Sequence, residues 1–222
     1  MTPLIVFDLD GTLVDSRLDL AGSANALLAE RGQAPLSVDR VVGMVGEGAR
    51  VLVGRVLAAA GTPAEGSTLD EALARFLAIY DQHLVDHTQV YPGIREAIES
   101  LDRHAALAIL TNKPGHHTTR LLDALDLRAP FAEVIGGDTR WPRKPDPSSL
   151  RHLMASAGAT PDTTIMVGDS PVDRDAARQA RARFCLAAYG FGHVPLDARD
   201  GMLVAADSRD VQAVLLAALG IA

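Results

Sequence analysis

The sequence is poor in cysteine, with Cys185 alone among 222 residues. No disulfide can therefore form within the chain, and this usage fits a reducing compartment. Because Cys185 lies in an apolar run, a buried packing role is the expected one for its thiol.

Positive charge is also scarce, with 21 Lys and Arg residues against 28 Asp and Glu residues and a net charge of −7. A nucleic-acid surface needs clustered positive charge; the chain has no basic run, so we expect no nucleic-acid partner. No apolar run reaches the roughly 18 residues of a membrane-spanning helix, and the amino terminus lacks the pattern of a secretion signal. We expect a cytoplasmic protein with no membrane partner; the sequence leaves open whether it is a monomer or a homodimer.

The chain does contain a strong strand signal that leads into acidic residues. Four apolar residues, Leu4 to Phe7, are followed by Asp8, Leu9, Asp10, Gly11 and Thr12, a pattern typical of a buried parallel strand that ends in a polar turn. Open α/β sheets bind ligands beyond the carboxyl ends of their strands. A turn accounts for Gly11 and Thr12, but a half-buried Asp8 without a partner would be costly unless function or a cation compensates it.

The segment after this strand changes to helical periodicity. An amphipathic helix follows the possible N-cap Ser16, a short turn ends near Val42, and a glycine-rich stretch from Gly43 to Arg50 precedes a second helix to Ala60. A third helix is predicted over about 69–86. Without a credible strand among them, these helices predict a small α-helical cap domain, residues 16–87, inserted after the first strand.

From Tyr91 the pattern alternates between strands and helices. This alternation predicts an α/β fold with a doubly wound parallel sheet, a Rossmann-like core formed by residues 1–15 and 88–222. The further strands are predicted at 106–111, 133–135, 164–167, 184–187 and 203–205, and the helices at 92–103, 115–125, 148–157, 171–182 and 209–219.

Three more polar segments accompany the later strands. Thr111, Asn112 and Lys113 follow one strand, Asp169 to Asp173 follow another, and Lys144 lies between them in a loop stiffened by two prolines. Each segment alone has an ordinary interpretation as a turn, a solvated charge or a helix cap. Taken in order they predict one crevice shared with Asp8, because neighbouring strands lie only about 4.8 Å apart.

The charges of this crevice indicate a cation. Asp8, Asp10, Asp169 and Asp173 would be balanced by Lys144 as the only dependable positive charge, and two like charges 4 Å apart cost about 4 kcal/mol at an effective dielectric near 20. Carboxylate oxygens without nearby His or Cys favour magnesium, Mg²⁺, which also accepts phosphate oxygens. We therefore expect a phosphate substrate, with the Thr111 hydroxyl and Lys144 as donors to its oxygens.

These segments, in this order along nearly the whole chain, resemble the four motifs of the haloacid dehalogenase superfamily. The resemblance implies that Asp8 is a nucleophile that becomes phosphorylated and that Asp10 is the general acid and base. It also implies that the Asp8 and Asp169 side chains and the Asp10 main-chain carbonyl hold the metal. Asp173 would support the metal waters or Lys144, and Asn112 would accompany Thr111 in binding phosphate.

Within the superfamily, the chain is similar to bacterial phosphoglycolate phosphatases. The similarity rests on the segments Gly46 to Ala49, Val134 to Asp138 and Tyr189 to Gly192. It implies hydrolysis of a small phosphate ester, and Arg50 is a candidate to bind its carboxylate, although Arg50 could equally be a solvated residue between cap helices. Glu47 stands where such proteins more often have Asn, and a carboxylate there would disfavour an anionic substrate.

Other functions remain open from the sequence. A phosphatase for another small ester such as a sugar phosphate, or a phosphomutase, would use the same core and differ in the cap. A dehalogenase needs neither Asp10 nor a metal. A non-enzymatic phospho-accepting receiver has its acidic pair before the phosphorylated aspartate in the chain, which is not the order found here.

Overall fold

The computed structural model describes residues 2–192, 194 and 201–221. Its strands are β1 (Leu4–Phe7), β2 (Val14–Asp15), β3 (Gln89–Val90), β4 (Ala106–Leu110), β5 (Phe131–Ile135), β6 (Thr164–Gly168), β7 (Arg183–Ala187) and β8 (Leu203–Ala205). Its α-helices are α1 (Arg17–Glu30), α2 (Val38–Val42), α3 (Ala49–Ala59), α4 (Gly66–Gln82), α5 (Ile94–Leu101), α6 (Gly115–Ala124), α7 (Ser148–Ala157), α8 (Pro171–Ala180) and α9 (Val211–Ala218).

Six strands form a parallel sheet in the order β5-β4-β1-β6-β7-β8. Both faces of β1 are buried: Ile5 and Phe7 pack into one hydrophobic cluster, and Leu4 and Val6 pack into the other. Two-sided burial explains why the strand is continuously apolar in sequence. The predicted doubly wound α/β fold is confirmed.

The order of the strands reverses at β1. The chain continues from β1 through β4 to β5 on one side and returns to β6, β7 and β8 on the other. A crevice opens at such a switch point beyond the carboxyl ends of the strands. Asp8 follows β1 directly and therefore lies at this crevice.

Four helices, α1 to α4, lie between β2 and β3 and pack against one another. The strands β2 and β3 pair antiparallel, with Val14 opposite Val90; at two residues each they were too short to leave a periodic signal in the sequence. The division into a cap at 16–87 and a core stays a prediction. Within the described part of the chain, no helix combines the length and apolarity needed to cross a bilayer.

Candidate active site

Adjacent strands bring the predicted polar residues together at one edge of the sheet. Asp8 follows β1, Thr111 follows β4 and Asp169 follows β6, and these three side chains are all buried. Lys144 reaches the same place from the loop between β5 and α7, and it is buried as well. The four segments therefore meet in space, as the sequence predicted.

Three carboxylates form a compact cluster around the Lys144 ammonium. Asp8, Asp169 and Asp173 each contribute one oxygen to a set whose members lie within 4.8 Å of one another. Lys144 Nζ lies 2.6 Å from Asp173 Oδ1 and 2.9 Å from Asp8 Oδ1. The contact with Asp8 has the distance of an ion pair but not the angles of a hydrogen bond, so Asp8 Oδ1 is left without a hydrogen-bond partner.

The other two carboxylates are fixed by their own donors. Asp169 Oδ2 accepts hydrogen bonds from the backbone N–H groups of Phe191 and Gly192, at 2.7 and 2.8 Å. Asp173 Oδ2 accepts from the Ser170 backbone N–H and hydroxyl at the start of α8. These bonds orient both side chains, so the fold itself holds the two carboxylates in position.

Burial makes Asp8 and Asp169 bind protons more tightly than exposed aspartates do. Burial and the charges of Asp173 and Asp8 raise the pKa of Asp169 to about 8. Burial raises the pKa of Asp8 to about 6, although the Lys144 charge opposes the shift. Burial alone would lower the pKa of Lys144, but the charges of Asp173 and Asp8 outweigh it and raise that pKa.

The cluster fits a divalent metal ion on its charge and its donors. When all three carboxylates are ionised, they exceed the one ammonium by two negative charges in a buried site, and every available donor is a hard oxygen. Asp8 Oδ1 accepts no hydrogen bond, although it lies 2.9 Å from the Lys144 ammonium, and it can serve as a metal ligand at this place. No histidine or cysteine belongs to the cluster among the described residues.

Asp10 lies in a different environment from Asp8. Its Oδ1 accepts a hydrogen bond from the Ser16 hydroxyl at 2.6 Å. Lys113 Nζ lies 3.1 and 3.0 Å from Asp10 Oδ1 and Oδ2, and 2.6 Å from the Tyr80 hydroxyl on α4. The prediction that Lys144 is the only dependable cation of the crevice was wrong, because the buried Lys113 is a second one.

The structure assigns Asn112 a bridging position. Its Nδ2 donates to the carbonyls of Gly46 and Lys144, both at 2.9 Å, and its Oδ1 accepts from the Lys144 backbone N–H at 2.9 Å. The amide of Asn112 is thus engaged at both ends. It joins the loop between α2 and α3 to the loop that carries Lys144, rather than pointing free toward a phosphate.

The structure does not bring Arg50 to the other site residues. Its guanidinium pairs with Asp70 on α4, and both side chains are exposed. Glu47 pairs with Arg55 in the same way, so its charge already has a partner outside the crevice. On a helix such as α3, the sequence alone does not fix which residue of a turn faces a neighbouring surface.

A cleft lies between the sheet edge and helices α1, α3 and α4. Its core side is mostly polar and its other side is mostly apolar. The core contributes Asp8, Asp10, Thr111, Asn112, Lys113, Pro114, Asp169, Ser170, Phe191 and Gly192, and the helical segment contributes Leu20, Val45, Gly46, Gly48, Ala49, Leu52, Phe76, Leu77 and Tyr80.

Sequence reasoning underrated Ser16 and Lys113 and missed Tyr80 at this site. Ser16 was read as a helix cap, but its hydroxyl is directed to Asp10. Lys113 follows Asn112 directly, and that adjacency was the available signal. Tyr80 left no signal, because only the packing of α4 against the core brings it to Lys113.

Comparisons with known proteins agree with this geometry. Residues 5–187 match the family of haloacid dehalogenase-like hydrolases. The chain is 40% identical over 212 residues to a phosphoglycolate phosphatase of Pseudomonas putida, covering 93% of this chain and 77% of that protein. It is 41% identical over 201 residues to the Rhodospirillum rubrum phosphoglycolate phosphatase, covering 88% and 83% respectively.

A solved structure from Haemophilus somnus has the same fold throughout. It is described as a predicted phosphoglycolate phosphatase, and it superposes with a TM-score of 0.90 at 30% sequence identity. The superposition covers 96% of this chain and 98% of that one. The parallel sheet and the segment of helices α1 to α4 therefore both have counterparts in that structure.

Proposed function

The chain belongs to the haloacid dehalogenase-like hydrolases, and we propose that it hydrolyses 2-phosphoglycolate to glycolate and phosphate, with the phosphoryl group carried transiently on Asp8. The observation that supports this most is the buried Asp8 carboxylate, which lies in a cluster of three carboxylates with the Lys144 ammonium 2.9 Å from its Oδ1. Relatives about 40% identical over most of the chain bear the name of this activity.

In the proposed first step, a carboxylate oxygen of Asp8 attacks phosphorus and the bond to the ester oxygen breaks. Asp10 gives its proton to that departing oxygen, so glycolate leaves as an alcohol. In the second step Asp10 removes a proton from a water molecule that attacks phosphorus, and Asp8 is released as a carboxylate. The contacts with Ser16 and Lys113 hold the Asp10 carboxylate in one orientation for both transfers.

We propose that the metal is Mg²⁺, held by the Asp8 and Asp169 side chains and by the Asp10 main-chain carbonyl. When bound, it supplies positive charge to the phosphoryl oxygens and to the attacking carboxylate. Asp173 contributes indirectly: its Oδ1 lies 2.6 Å from Lys144 Nζ and holds that ammonium in place. Lys144 and the Thr111 hydroxyl then donate to the phosphoryl oxygens, where negative charge shifts during transfer.

We propose that residues 16–87 act as a cap domain over a catalytic core of residues 1–15 and 88–222. The position of the cleft between α1, α3, α4 and the sheet edge supports this division. Asn112 then contributes by holding the Gly46 carbonyl of the cap and the Lys144 loop together, rather than by binding phosphate. A cytoplasmic location belongs to the same proposal and agrees with the single, buried Cys185.

The apolar cap side of the cleft favours a small ester over a sugar phosphate. Leu20, Leu52, Phe76 and Leu77 line this side, and the Tyr80 hydroxyl already accepts from Lys113. A hexose would bring several hydroxyls to this wall, where their hydrogen bonds to water would be lost without replacement. 2-Phosphoglycolate brings no hydroxyl to this wall; its one polar group beyond the phosphate ester is a carboxylate, which needs a cation beside it.

A screen of phosphate esters with Mg²⁺ tests the proposal. Phosphoglycolate, hexose phosphates and nucleotides are supplied separately, and both free phosphate and isomerised sugar phosphate are measured. We expect phosphoglycolate to give the highest kcat/KM, chelation to abolish turnover and Mg²⁺ to restore it. A preference for hexose phosphates, or isomerised product in place of free phosphate, would contradict the proposal.

A further inference from the structure

We propose that Lys113, oriented by Tyr80, binds the carboxylate of the leaving group and so selects esters whose leaving group is an anion. This inference rests on the proposed function, because it concerns the substrate of the same cleft. It assigns to Lys113 the recognition that the sequence had suggested for Arg50.

The charges along the cleft point to Lys113. Asp8, Asp10 and Asp169 make its lining strongly negative, and Lys113 is the single cationic side chain among the described residues that line it. A substrate with a carboxylate on its leaving group needs a positive charge at that end as well as at the phosphate. Lys144 lies deeper, between Asp8 and Asp173, where it is assigned to the phosphoryl oxygens and so is not available to the leaving group.

The contacts of Lys113 leave its ammonium able to take a second anion. An ammonium has three N–H donors, which here face one carboxylate, that of Asp10, and one hydroxyl, that of Tyr80. A substrate carboxylate can take over one donor from an Asp10 oxygen. Asp10 Oδ1 keeps its 2.6 Å bond from Ser16 when this happens, so Asp10 stays oriented.

Tyr80 fixes where this ammonium stands. Its ring stacks on Phe76, with centroids 5.9 Å apart, and on His117, with centroids 5.6 Å apart, and it is only 2% exposed. Its hydroxyl accepts from Lys113 at 2.6 Å, and Lys113 Nζ lies 4.5 Å from the ring centroid. Burial raises the pKa of Tyr80 to about 12, so the hydroxyl remains a neutral acceptor. Tyr80 is thus a positioning residue that acts through Lys113.

Arg50 and Arg143 lie near the cleft but are engaged elsewhere. Arg50 is exposed and paired with Asp70. Arg143 donates from Nε to the Gly137 carbonyl at 2.7 Å. Neither lines the cleft.

A pair of substrates of equal chain length tests the proposal. 2-Phosphoglycolate and 2-hydroxyethyl phosphate have the same length, but only the first carries a carboxylate, so the ratio of their kcat/KM values measures recognition of that group. We expect Lys113→Met to lower this ratio about tenfold or more, mainly through a higher KM for phosphoglycolate. Tyr80→Phe, which keeps the stacked ring, should lower the ratio in the same direction by a smaller factor.

Arg120→Met is the matched control. Arg120 joins α6 to Asp81 on the cap, next to Tyr80, and it does not line the cleft. The variant removes one positive charge and one contact between cap and core, so the substrate ratio should stay at the wild-type value. A purely structural role of Lys113 and Tyr80 would lower the values for both esters equally.

The outcomes separate this proposal from the proposed function. Equal losses for both esters in Lys113→Met and Tyr80→Phe, with phosphoglycolate hydrolysed by the wild type, would overturn the carboxylate role and leave the phosphatase intact. A lower ratio in Arg50→Met but not in Lys113→Met would also overturn it. If the wild type hydrolysed neither ester, the proposed function itself would fail.

Discussion

Two buried carboxylates, Asp8 and Asp169, bind protons more tightly in the folded chain than an exposed aspartate does. An acid whose pKa is raised on folding stabilises the fold most at low pH, and that contribution is lost as pH rises through the folded value. For these groups the loss runs from about pH 4 to about pH 8. A divalent cation bound at the cluster would offset this loss of stability, because the cation favours the ionised forms of the two carboxyl groups.

We therefore predict that the increase in melting temperature on adding Mg²⁺ is larger at about pH 8 than at about pH 6. Protons compete with the cation for Asp169 and Asp8 at the lower pH. Each 1 kcal/mol of added stability should raise the Tm of a chain of this size by about 2–4 °C. Thermal unfolding at both pH values, with and without Mg²⁺, measures the effect.

Asp169→Asn is the control for this prediction. It keeps the shape of the side chain but removes one of the repelling charges, so the metal-free protein should melt at a higher temperature than the wild type at about pH 8. The increase in the melting temperature of this variant on adding Mg²⁺ should be small at both pH values. A wild-type gain that is equal at both pH values, or larger at the lower one, would show that these carboxylates do not hold the cation.

At the scale of elements, the loop between α2 and α3 docks on the turn after β4. The Gly46 carbonyl accepts from Asn112, and a Cβ atom at Gly48 would lie 3.2 Å from the Asn112 carbonyl oxygen. Gly48 has a φ of +94°, a conformation that side chains with a Cβ rarely adopt. Glycine at this position lets the loop between α2 and α3 approach Asn112 closely, and Asn112 in turn binds the Lys144 backbone.

We predict that Gly48→Ala lowers kcat/KM for phosphoglycolate about tenfold or more, because the new methyl group separates the loop from Asn112. Gly61→Ala is the matched control: Gly61 also has a positive φ, +82°, but nothing lies within 4 Å of its Cβ position. Gly61→Ala should lose about 1 kcal/mol of stability from backbone strain, and Gly48→Ala should lose more, because the ψ of 163° at Gly48 lies in a region that is essentially restricted to glycine; chemical denaturation measures both losses. Full activity in Gly48→Ala would mean that this contact does not serve catalysis.

For the whole molecule, the sequence was sufficient to predict the core and the first residues after its strands. Leu4–Phe7 and Ala106–Leu110 are continuous apolar runs, because both faces of the sheet are covered, and such runs are visible without a structure. A residue directly after such a run must lie at the carboxyl edge of the sheet. This is why Asp8 and Thr111 could be placed from sequence alone.

Contacts between the helical segment and the core could not be predicted in the same way. Lys113 and Tyr80 are 33 positions apart and meet only because α4 packs beside α6. Arg50 was a reasonable candidate from its glycine-rich neighbourhood, but the rotation of α3 directs it to Asp70. Side-chain direction on a helix depends on packing that a single sequence does not specify.

In the proposed mechanism the phosphoryl group passes through Asp8. Trapping the phosphoryl group on this residue tests the mechanism most directly. The Asp10→Asn variant is mixed, in the presence of Mg²⁺, with acetyl phosphate labelled in its phosphate, whose leaving group needs no proton from Asp10, and is quenched with acid. Loss of the base should slow release of the phosphoryl group by about 10²–10⁴-fold, so label should accumulate on the protein. Borohydride reduction of the trapped acyl phosphate should then convert the Asp8 side chain to that of homoserine, detected by mass spectrometry. Free phosphate released without any labelled protein, or label on a residue other than Asp8, would contradict the account.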